Sequence, residues 1–242
     1  MSTPSQSFHA VVVGASGGIG SALTRRLLVD PRVTRVTALS RSALEASGAK
    51  PHWRQVDITD ERSIAKAVAG LDEVHLAFVA TGTLHENGEL QPEKSWRSLD
   101  AAKLSRAYEV NAIGPALVAK HVLPLFPLEG RAAFAALSAR VGSISDNRLG
   151  GWHAYRASKA ALNQLIRTLS IELATRRKDA LCVALHPGTV NTKLSTPFQG
   201  GVAPDKLFTP DYAAERLLAV LDGLTPADTG GFFAWNGERI PF

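Results

Sequence analysis

Short apolar runs rich in β-branched residues alternate along this chain with longer segments in which apolar positions recur every three or four residues. The first run, Ala10 to Val13, is apolar throughout, which is typical of a strand covered by helices on both faces. Regular alternation of strands and helices indicates βαβ units, whose strands pair in parallel. The pattern therefore predicts an α/β fold with a doubly wound, mostly parallel sheet.

The predicted strands cover residues 8–13, 33–39, 53–58, 74–80, 132–137, 181–185 and 232–235, and the predicted helices cover 21–29, 61–69, 100–123, 153–174 and 210–221. These ranges correspond to a seven-stranded sheet with helices on both faces. Two long connections remain, 82–99 and 188–209, and loops of this length in a compact domain are usually lids or binding segments. We expect them to be substrate loops at the carboxyl ends of the strands, where open α/β sheets bind ligands.

Composition narrows the class of protein. The chain has 242 residues, of which 45% are hydrophobic and 20% charged, and its 27 basic and 22 acidic side chains are scattered along it. Such a chain fits one domain, residues 1–242, without a nucleic-acid surface. Cys182 is the sole cysteine, and no run approaches the ~18 consecutive apolar residues of a membrane span. We therefore expect a cytoplasmic protein without a disulfide, a membrane segment or a metal site.

A glycine-rich turn follows the first predicted strand, with the spacing Gly-x3-Gly-x-Gly at Gly14, Gly18 and Gly20. Glycines at a strand-to-helix junction allow the backbone to turn sharply and to approach a pyrophosphate. The helix that follows presents amide hydrogens and the positive end of its dipole to an anion. The position of this turn in the first βα unit favours a dinucleotide site over a tight turn alone.

The end of the second predicted strand discriminates between the two nicotinamide dinucleotides. NAD sites usually have a carboxylate there, which binds the ribose 2′-hydroxyl, whereas this chain has Ser40, Arg41 and Ser42. A guanidinium pairs with a phosphate through two hydrogen bonds and suits the 2′-phosphate of NADP. The sequence therefore favours NADP(H), with NAD(H) as the alternative.

Tyr155 and Lys159 stand four residues apart in a predicted helix, so their side chains project from one face. An ammonium beside a phenol favours the ionised phenol, whose pKa is otherwise about 10. We therefore expect Lys159 to lower the pKa of Tyr155, which would make the tyrosine a usable acid and base near neutral pH.

These features form an ordered series that resembles the short-chain dehydrogenase/reductase family over nearly the whole chain. The series consists of Gly14, Gly18 and Gly20, Asp57, Asn111, Tyr155 with Lys159, and Pro187-Gly188 with Thr192. Segments 142–147 and 236–242 are similar to the C-factor-type branch. The resemblance implies a single-domain Rossmann fold, a small-molecule carbonyl or alcohol substrate, and a homodimer or homotetramer.

The resemblance also implies a role for each matching residue. Tyr155 would exchange a proton with the substrate oxygen, Lys159 would hold the nicotinamide ribose, and Asn111 would position a water that links Lys159 to solvent. Asp57 would lie beside the adenine, although this side chain is also suited to capping the next helix. The cofactor contacts are expected from Gly14, Ser16, Gly17, Gly18, Ile19, Gly20, Ser40, Arg41, Asp57, Ile58, Ala80, Thr81, Gly82, Tyr155, Lys159, Pro187, Gly188, Val190 and Thr192.

Two positions depart from the family pattern. The family usually places a serine three residues before the glycine that follows the fifth strand, and here Ala139 occupies that position. Ser143 and Ser138 are the candidates for binding the substrate oxygen instead, and Ser143 is preferred because adjacent strand residues point to opposite faces. The segment that usually reads Asn-Asn-Ala-Gly is here Val79-Ala80-Thr81-Gly82.

The sequence thus predicts an NADP(H)-dependent oxidoreductase that interconverts a carbonyl and an alcohol by hydride transfer, with Tyr155 as the acid and base. The alternative is a dinucleotide-binding regulatory protein with weak or no activity. Ala139 and the missing asparagine are the features that favour this alternative.

Overall fold

The computed structural model describes residues 8–44, 51–86 and 90–242. Those ranges contain the strands β1 (Phe8–Val13), β2 (Val33–Ser40), β3 (His52–Gln55), β4 (Leu76–Val79), β5 (Ala132–Leu137), β6 (Ala180–His186), β7 (Thr189–Val190), β8 (Leu207–Phe208) and β9 (Phe232–Ala234). Strands β7 and β8 pair with each other, and the other seven form one sheet in the order β3-β2-β1-β4-β5-β6-β9. Every neighbouring pair in that sheet is parallel.

The helices are α1 (Gly18–Val29), α2 (Glu61–Val68), α3 (Ala101–Tyr108), α4 (Gly114–Val122), α5 (His153–Ala174) and α6 (Pro210–Gly223). Residues of α2, α4 and α5 share one core with the first face of the sheet, and residues of α1 and α6 share a second core with the opposite face. Successive residues of β5 follow this division, since Phe134 belongs to the first core and Ala135 to the second. The predicted Rossmann fold, with a doubly wound seven-stranded sheet, is confirmed.

The strand order reverses between β1 and β4. From β1 the chain first builds outward to β2 and β3, and then returns to place β4, β5 and β6 on the other side. The connections that leave β1 and β4 therefore diverge, which opens a crevice at the carboxyl ends of these two strands. The glycine turn follows β1 and Ala80 follows β4 at this crevice.

The predicted helix over 100–123 is interrupted. A π-helical turn, Glu109–Ile113, separates α3 from α4, and the Gly114 amide donates to the Glu109 carbonyl five residues earlier. Pro115 follows and has no amide hydrogen for an α-helical bond. A Cβ at Gly114 would lie 2.6 Å from the Ile58 side chain, so glycine allows this close approach.

Other element bounds differ by a few residues. Helix α1 begins at Gly18 rather than at 21, because the glycine turn passes directly into the helix. Strand β4 begins at Leu76 because the Val74 amide donates to the Leu125 carbonyl, outside the sheet. Among the described residues, no helix combines the length and apolar character that crossing a membrane requires.

Candidate active site

A cleft of about 820 Å³ lies at the carboxyl ends of β1, β2, β4 and β5. It brings together most of the residues that the sequence analysis selected. Its walls include Gly14, Ser16, Gly17, Gly18, Ile19, Ser40, Arg41, Asp57, Ile58, Ala80, Thr81, Gly82, Ser138, Tyr155, Lys159, Pro187 and Thr192.

Five selected residues do not line this cleft: Gly20, Asn111, Ser143, Gly188 and Val190. Gly20 lies under the glycine turn, where an added Cβ would come 2.1 Å from the Gly14 carbonyl oxygen. Gly188 has a φ of 78° and packs against Phe208, and Val190 is buried in β7. These three residues shape the backbone behind the cleft wall.

The glycine turn leaves the amino end of α1 open to the cleft. Gly14 has a φ of 85°, and its amide donates to the Leu39 carbonyl at 2.8 Å, which ties the turn to β2. The first turn of α1 has no acidic residue, and no side chain in the described ranges caps it. Because the first amides of a helix have no partner inside the helix, this end suits the pyrophosphate of a dinucleotide.

Thr81 follows Ala80, which stands where the family usually has an asparagine. Its Oγ1 is buried and has no hydrogen-bond partner among residues 8–44, 51–86 and 90–242. Buried hydroxyl groups are nearly always hydrogen-bonded in folded proteins. Since Thr81 lines the cleft, a ligand bound there is a natural partner for this hydroxyl, and the wall fits a polar cofactor at this point.

The end of β2 carries a positive charge. Arg41 is exposed and lines the cleft. Two hydrogen bonds from Thr59, and then the nearby Arg41 charge, hold the pKa of the Asp57 carboxyl below its usual range. Helix α2 is capped by Asp60, which accepts from the Arg62 amide at 2.9 Å. Asp57 is therefore not the cap of α2, and its place on the cleft wall suits the predicted role beside the adenine.

Tyr155 and Lys159 lie on one face of α5, and the Lys159 Nζ is 5.9 Å from the centroid of the Tyr155 ring. Lys159 is buried, and its Nζ donates to the Leu137 carbonyl at 2.8 Å. Burial raises the pKa of Tyr155 to about 12 and lowers the pKa of Lys159 to about 7. The pKa of Tyr155 is therefore raised here, against the expected lowering, because burial disfavours the ionised phenol.

Asn111 lies in the π-helical turn and is fully buried. Its Oδ1 accepts from the Thr83 amide at 2.8 Å, and its Nδ2 donates to the Thr83 carbonyl at 2.9 Å and to the Ser158 hydroxyl at 3.0 Å. The side chain thus joins the start of the 82–99 connection to α5. The predicted water-positioning role stays a prediction.

The two candidate serines are placed differently. Ser138 lines the cleft, and its Oγ donates to the Asn163 Oδ1 at 2.7 Å. Ser143 is buried away from the cleft, and its Oγ accepts from the Asp146 amide at 3.2 Å. The structure thus places Ser138, rather than the preferred Ser143, on the wall of the cleft that Tyr155 also lines.

Apolar and aromatic side chains line or adjoin one part of the cleft. Leu84, His85 and Leu194 line it. Phe198 packs edge-on against His85 with the ring centroids 5.8 Å apart, and Trp152 packs edge-on against Phe198 and Tyr155 at 5.2 and 6.3 Å. The His85 Nε2 is 3.1 Å from the Lys193 carbonyl oxygen, so the 82–99 and 188–209 connections meet here, and their role as substrate loops stays a prediction.

Sequence reasoning missed several residues of the cleft wall. Arg106 of α3 is one of them, and its guanidinium forms ion pairs with Glu86 and Glu109 at 3.1 and 2.8 Å. A helical pattern does not show which of its polar residues face a cleft that is built from distant strands, so the sequence carried no signal for Arg106, whereas the predicted loops 82–99 and 188–209 contain six of the others. The others are Ser21, Arg25, Val56, Thr59, Thr83, Leu84, His85, Glu86, Val110, Leu137, Lys193, Leu194, Pro210 and Asp211.

Comparison with known proteins places these features in context. A family profile described as short chain dehydrogenase matches residues 8–201. The chain is 36% identical to the C-signal of Myxococcus xanthus over 144 residues, which are 60% of this chain and 81% of that protein. It is 33% identical to a 1-hydroxy-2-glutathionyl-2-methyl-3-butene dehydrogenase of Rhodococcus sp. over 231 residues, which are 95% of this chain and 97% of that protein.

Two solved structures are similar over the whole fold. One is an NADPH-bound carbonyl reductase from chicken fatty liver, with 26% identity, a TM-score of 0.80, and coverage of 98% of this chain and 100% of that one. The other is the carbonyl reductase Sniffer of D. melanogaster, with 24% identity, a TM-score of 0.84 and the same coverage.

Proposed function

This chain belongs to the short-chain dehydrogenase family, and from that premise we propose that it is an NADP(H)-dependent oxidoreductase that interconverts a carbonyl and an alcohol. One observation carries the proposal. Tyr155 and Lys159 stand on the wall of the same cleft whose other walls contain the glycine turn and Arg41. A proton donor and a dinucleotide site therefore share one cavity.

Tyr155 is the proton donor of the proposed reaction. Because burial raises its pKa to about 12, the phenol is protonated at neutral pH and has a hydrogen to give to a carbonyl oxygen as that group is reduced. The nicotinamide supplies the hydride when it is bound. The protein supplies the position of the substrate oxygen and the proton.

Lys159 orients the groups around the phenol. Its Nζ gives one hydrogen to the Leu137 carbonyl, and a protonated lysine has two more. Those hydrogens are available to the ribose hydroxyls of a nicotinamide nucleotide. Burial lowers the pKa of Lys159 to about 7, so the ammonium is present in a large share of molecules at neutral pH.

Arg41 supports NADP(H) over NAD(H). It occupies the position at the end of β2 where a 2′-phosphate would bind, and an arginine pairs with phosphate more strongly than with a ribose hydroxyl. The chicken fatty liver reductase, which is similar over the whole fold, has NADPH bound. The open amino end of α1 and the Thr81 hydroxyl suit the rest of such a cofactor.

The wall beside Tyr155 favours an apolar or aromatic aldehyde or ketone as the substrate. Leu84, His85 and Leu194 line the cleft, and the Phe198 ring packs on His85 and the Trp152 ring on Tyr155. Aromatic rings prefer edge-on or offset contacts with other rings, so a flat substrate fits this wall.

A second candidate function is supported by Ala139. The Ser138 hydrogen is engaged by Asn163, and the serine expected at 139 is absent, so Tyr155 is the one remaining donor of the candidates considered. A dinucleotide-binding regulator with weak turnover accounts for this arrangement.

Fluorescence titration of the purified protein with NADPH and with NADH tests the proposal, followed by a panel of aldehydes and ketones with the cofactor that binds. We expect NADPH to bind about 10-fold or more tightly than NADH, and to be consumed with at least one aryl carbonyl. Binding without turnover on any carbonyl favours the regulator. Failure of both cofactors to bind contradicts both functions.

A further inference from the structure

The helix that carries Tyr155 begins without a capping side chain of its own. The N-cap residue, Trp152, has a left-handed backbone with φ 52° and ψ 43°, and it is the sole non-glycine residue with positive φ in the described ranges. Its side chain makes no capping hydrogen bond, and the first turn of α5 has no acidic residue. The amides at this end of the helix therefore need acceptors from elsewhere.

Glu93, from the 82–99 connection, provides two such acceptors. Its carbonyl oxygen accepts from the Trp152 amide at 2.6 Å, and its Oε2 accepts from the Ala154 amide at 3.2 Å. A carboxylate at the amino end of a 22-residue helix is also favourable for the helix dipole. Glu93 thus caps α5 from a segment that lies some sixty residues earlier in the chain.

Burying the Glu93 carboxylate costs free energy, which indicates a role for it beyond packing. Glu93 is 4% exposed, and its Oε1 is buried without a hydrogen-bond partner among the described residues. Burying a polar oxygen without a partner is unfavourable. An apolar side chain would fill the same space without that penalty, so the contribution of the carboxylate lies in the backbone that it orders.

Both backbone contacts of Glu93 bear on the catalytic phenol. Ala154 immediately precedes Tyr155, which is the third residue of α5. The ring of Trp152 packs edge-on against the Tyr155 ring at 6.3 Å. The Trp152 amide is held by the backbone carbonyl of Glu93, so the main chain at 93, rather than its side chain, supports the ring that packs on the phenol.

We propose that the Glu93 side chain positions Tyr155, acting through the Ala154 amide at the start of α5. Glu93 does not line the cleft and contacts neither cofactor nor substrate in the proposed reaction. The inference rests on the proposed function, since the direction of the phenol matters for proton transfer to a carbonyl. It also gives the 82–99 connection a second task besides forming the cleft wall.

Three substitutions at Glu93 and one control test the proposal. Glu93→Gln keeps an acceptor for the Ala154 amide. Glu93→Asp keeps the negative charge on a side chain that is one methylene shorter, and Glu93→Ala removes both the acceptor and the charge. Glu172→Gln is the matched control, because Glu172 is an exposed carboxylate near the other end of the same helix. The measurements are kcat and KM at saturating NADPH, and the NADPH dissociation constant.

We expect Glu93→Ala and Glu93→Asp to lower kcat about 20-fold or more, because a misplaced donor loses most of its effect. The NADPH dissociation constant should change less than about 3-fold, since the glycine turn and Arg41, which would bind the phosphates, lie outside α5. Glu93→Gln should recover kcat to within about 5-fold of the unsubstituted protein, and Glu172→Gln should keep the full value. This order of kcat values would show that the hydrogen bond to the Ala154 amide, rather than the negative charge, positions Tyr155.

The proposal is overturned if folded Glu93→Asp and Glu93→Ala, assayed well below their melting temperatures, keep kcat within about 2-fold of the unsubstituted protein. If Glu93→Ala does not fold, Glu93→Asp alone decides. Absence of turnover in the unsubstituted protein contradicts the proposed function instead. Near-ultraviolet circular dichroism then tests Glu93: its alanine or aspartate variant should alter the tryptophan and tyrosine bands, and unaltered bands overturn the inference.

Discussion

The Ser138 Oγ donates a hydrogen bond of 2.7 Å to the Oδ1 of Asn163, which lies two helical turns along α5 from Tyr155. A hydroxyl group has one hydrogen to donate, so Ser138 has none left for a substrate oxygen in this arrangement. Ser143 does not line the cleft. Of Ser138, Ser143 and Tyr155, Tyr155 is therefore the one with a hydrogen free for a substrate oxygen on the wall, and the serine of the family pattern is missing at Ala139.

Restoring that donor should increase turnover. We expect Ala139→Ser to raise kcat about 10-fold, because one hydrogen bond to the developing oxyanion typically contributes at least this much. Ser138→Ala should lower kcat less than about 5-fold, since the hydrogen of Ser138 is engaged by Asn163. Steady-state NADPH oxidation with one aryl aldehyde measures both variants. A loss of about 100-fold in Ser138→Ala at unchanged thermal stability would instead identify Ser138 as the substrate donor.

Arg41 should determine cofactor preference. Removing a guanidinium that pairs with the 2′-phosphate costs about 2 kcal/mol, so Arg41→Ala should weaken NADPH binding roughly 30-fold. NADH binding should stay within about 2-fold, because NADH has no such phosphate. Arg62→Ala is the control, since Arg62 is exposed and lies outside the cleft. If Arg41→Ala weakened the binding of NADPH and of NADH equally, Arg41 would not be the residue that binds the 2′-phosphate.

Lys159 should destabilise the cofactor-free protein. Its pKa is lowered to about 7 from the usual 10.5, so the unfolded chain binds more protons than the folded one between these pH values. The free energy of unfolding therefore rises with pH across this window, and the cost of the buried charge is fully present below pH 7. Lys159→Met should increase the free energy of unfolding at pH 6 by about 2 kcal/mol, although turnover is lost.

Urea unfolding at pH 6 and at pH 10 measures this effect. The advantage of Lys159→Met should shrink at the higher pH, where the lysine of the folded protein is neutral. Lys178→Met, at an exposed position, should change stability little at either pH. A Lys159→Met protein that is less stable than the parent at pH 6 contradicts the prediction.

His186 should contribute a separate loss of stability in acid. Burial, and then the charge of Arg140, lowers its pKa to about 4 from the usual 6.5, so the unfolded chain takes up a proton first as the pH falls. The free energy of unfolding should therefore decrease between pH 6.5 and 4, by at most about 3 kcal/mol. His186→Gln should reduce that decrease, whereas His52→Gln, at an exposed position, should not. Identical acid profiles for the parent and His186→Gln would contradict this account.

The elements whose pattern is strongest agree best between sequence and structure. The bounds predicted for β1, β5 and α5 are those observed, because continuous apolar runs and helical periodicity are local signals. The positions of Tyr155 and Lys159 on one face of α5 also follow from local spacing. The cleft itself could be predicted because parallel strands place their carboxyl ends at one edge.

The remaining features depend on contacts between distant segments. Two of these features join residues that are far apart in the chain: the hydrogen bond between Ser138 and Asn163, and the capping of α5 by Glu93. The third, the π-helical turn at Asn111, is an irregular backbone segment. The pKa of Tyr155 was predicted in the wrong direction because spacing shows the neighbouring ammonium but not the depth of burial. Periodicity shows neither which distant residues contact each other nor how deeply a side chain is buried.

The most direct test of the central claim compares the rate of NADPH oxidation with an aryl aldehyde between the unsubstituted protein and Tyr155→Phe. The account predicts NADPH consumption by the unsubstituted protein and a loss of about 1,000-fold in Tyr155→Phe, because the phenol proton is removed while the ring remains. The NADPH dissociation constant should stay within about 3-fold. A Tyr155→Phe protein that reduces the aldehyde at the parent rate would contradict the assignment of Tyr155 as the proton donor.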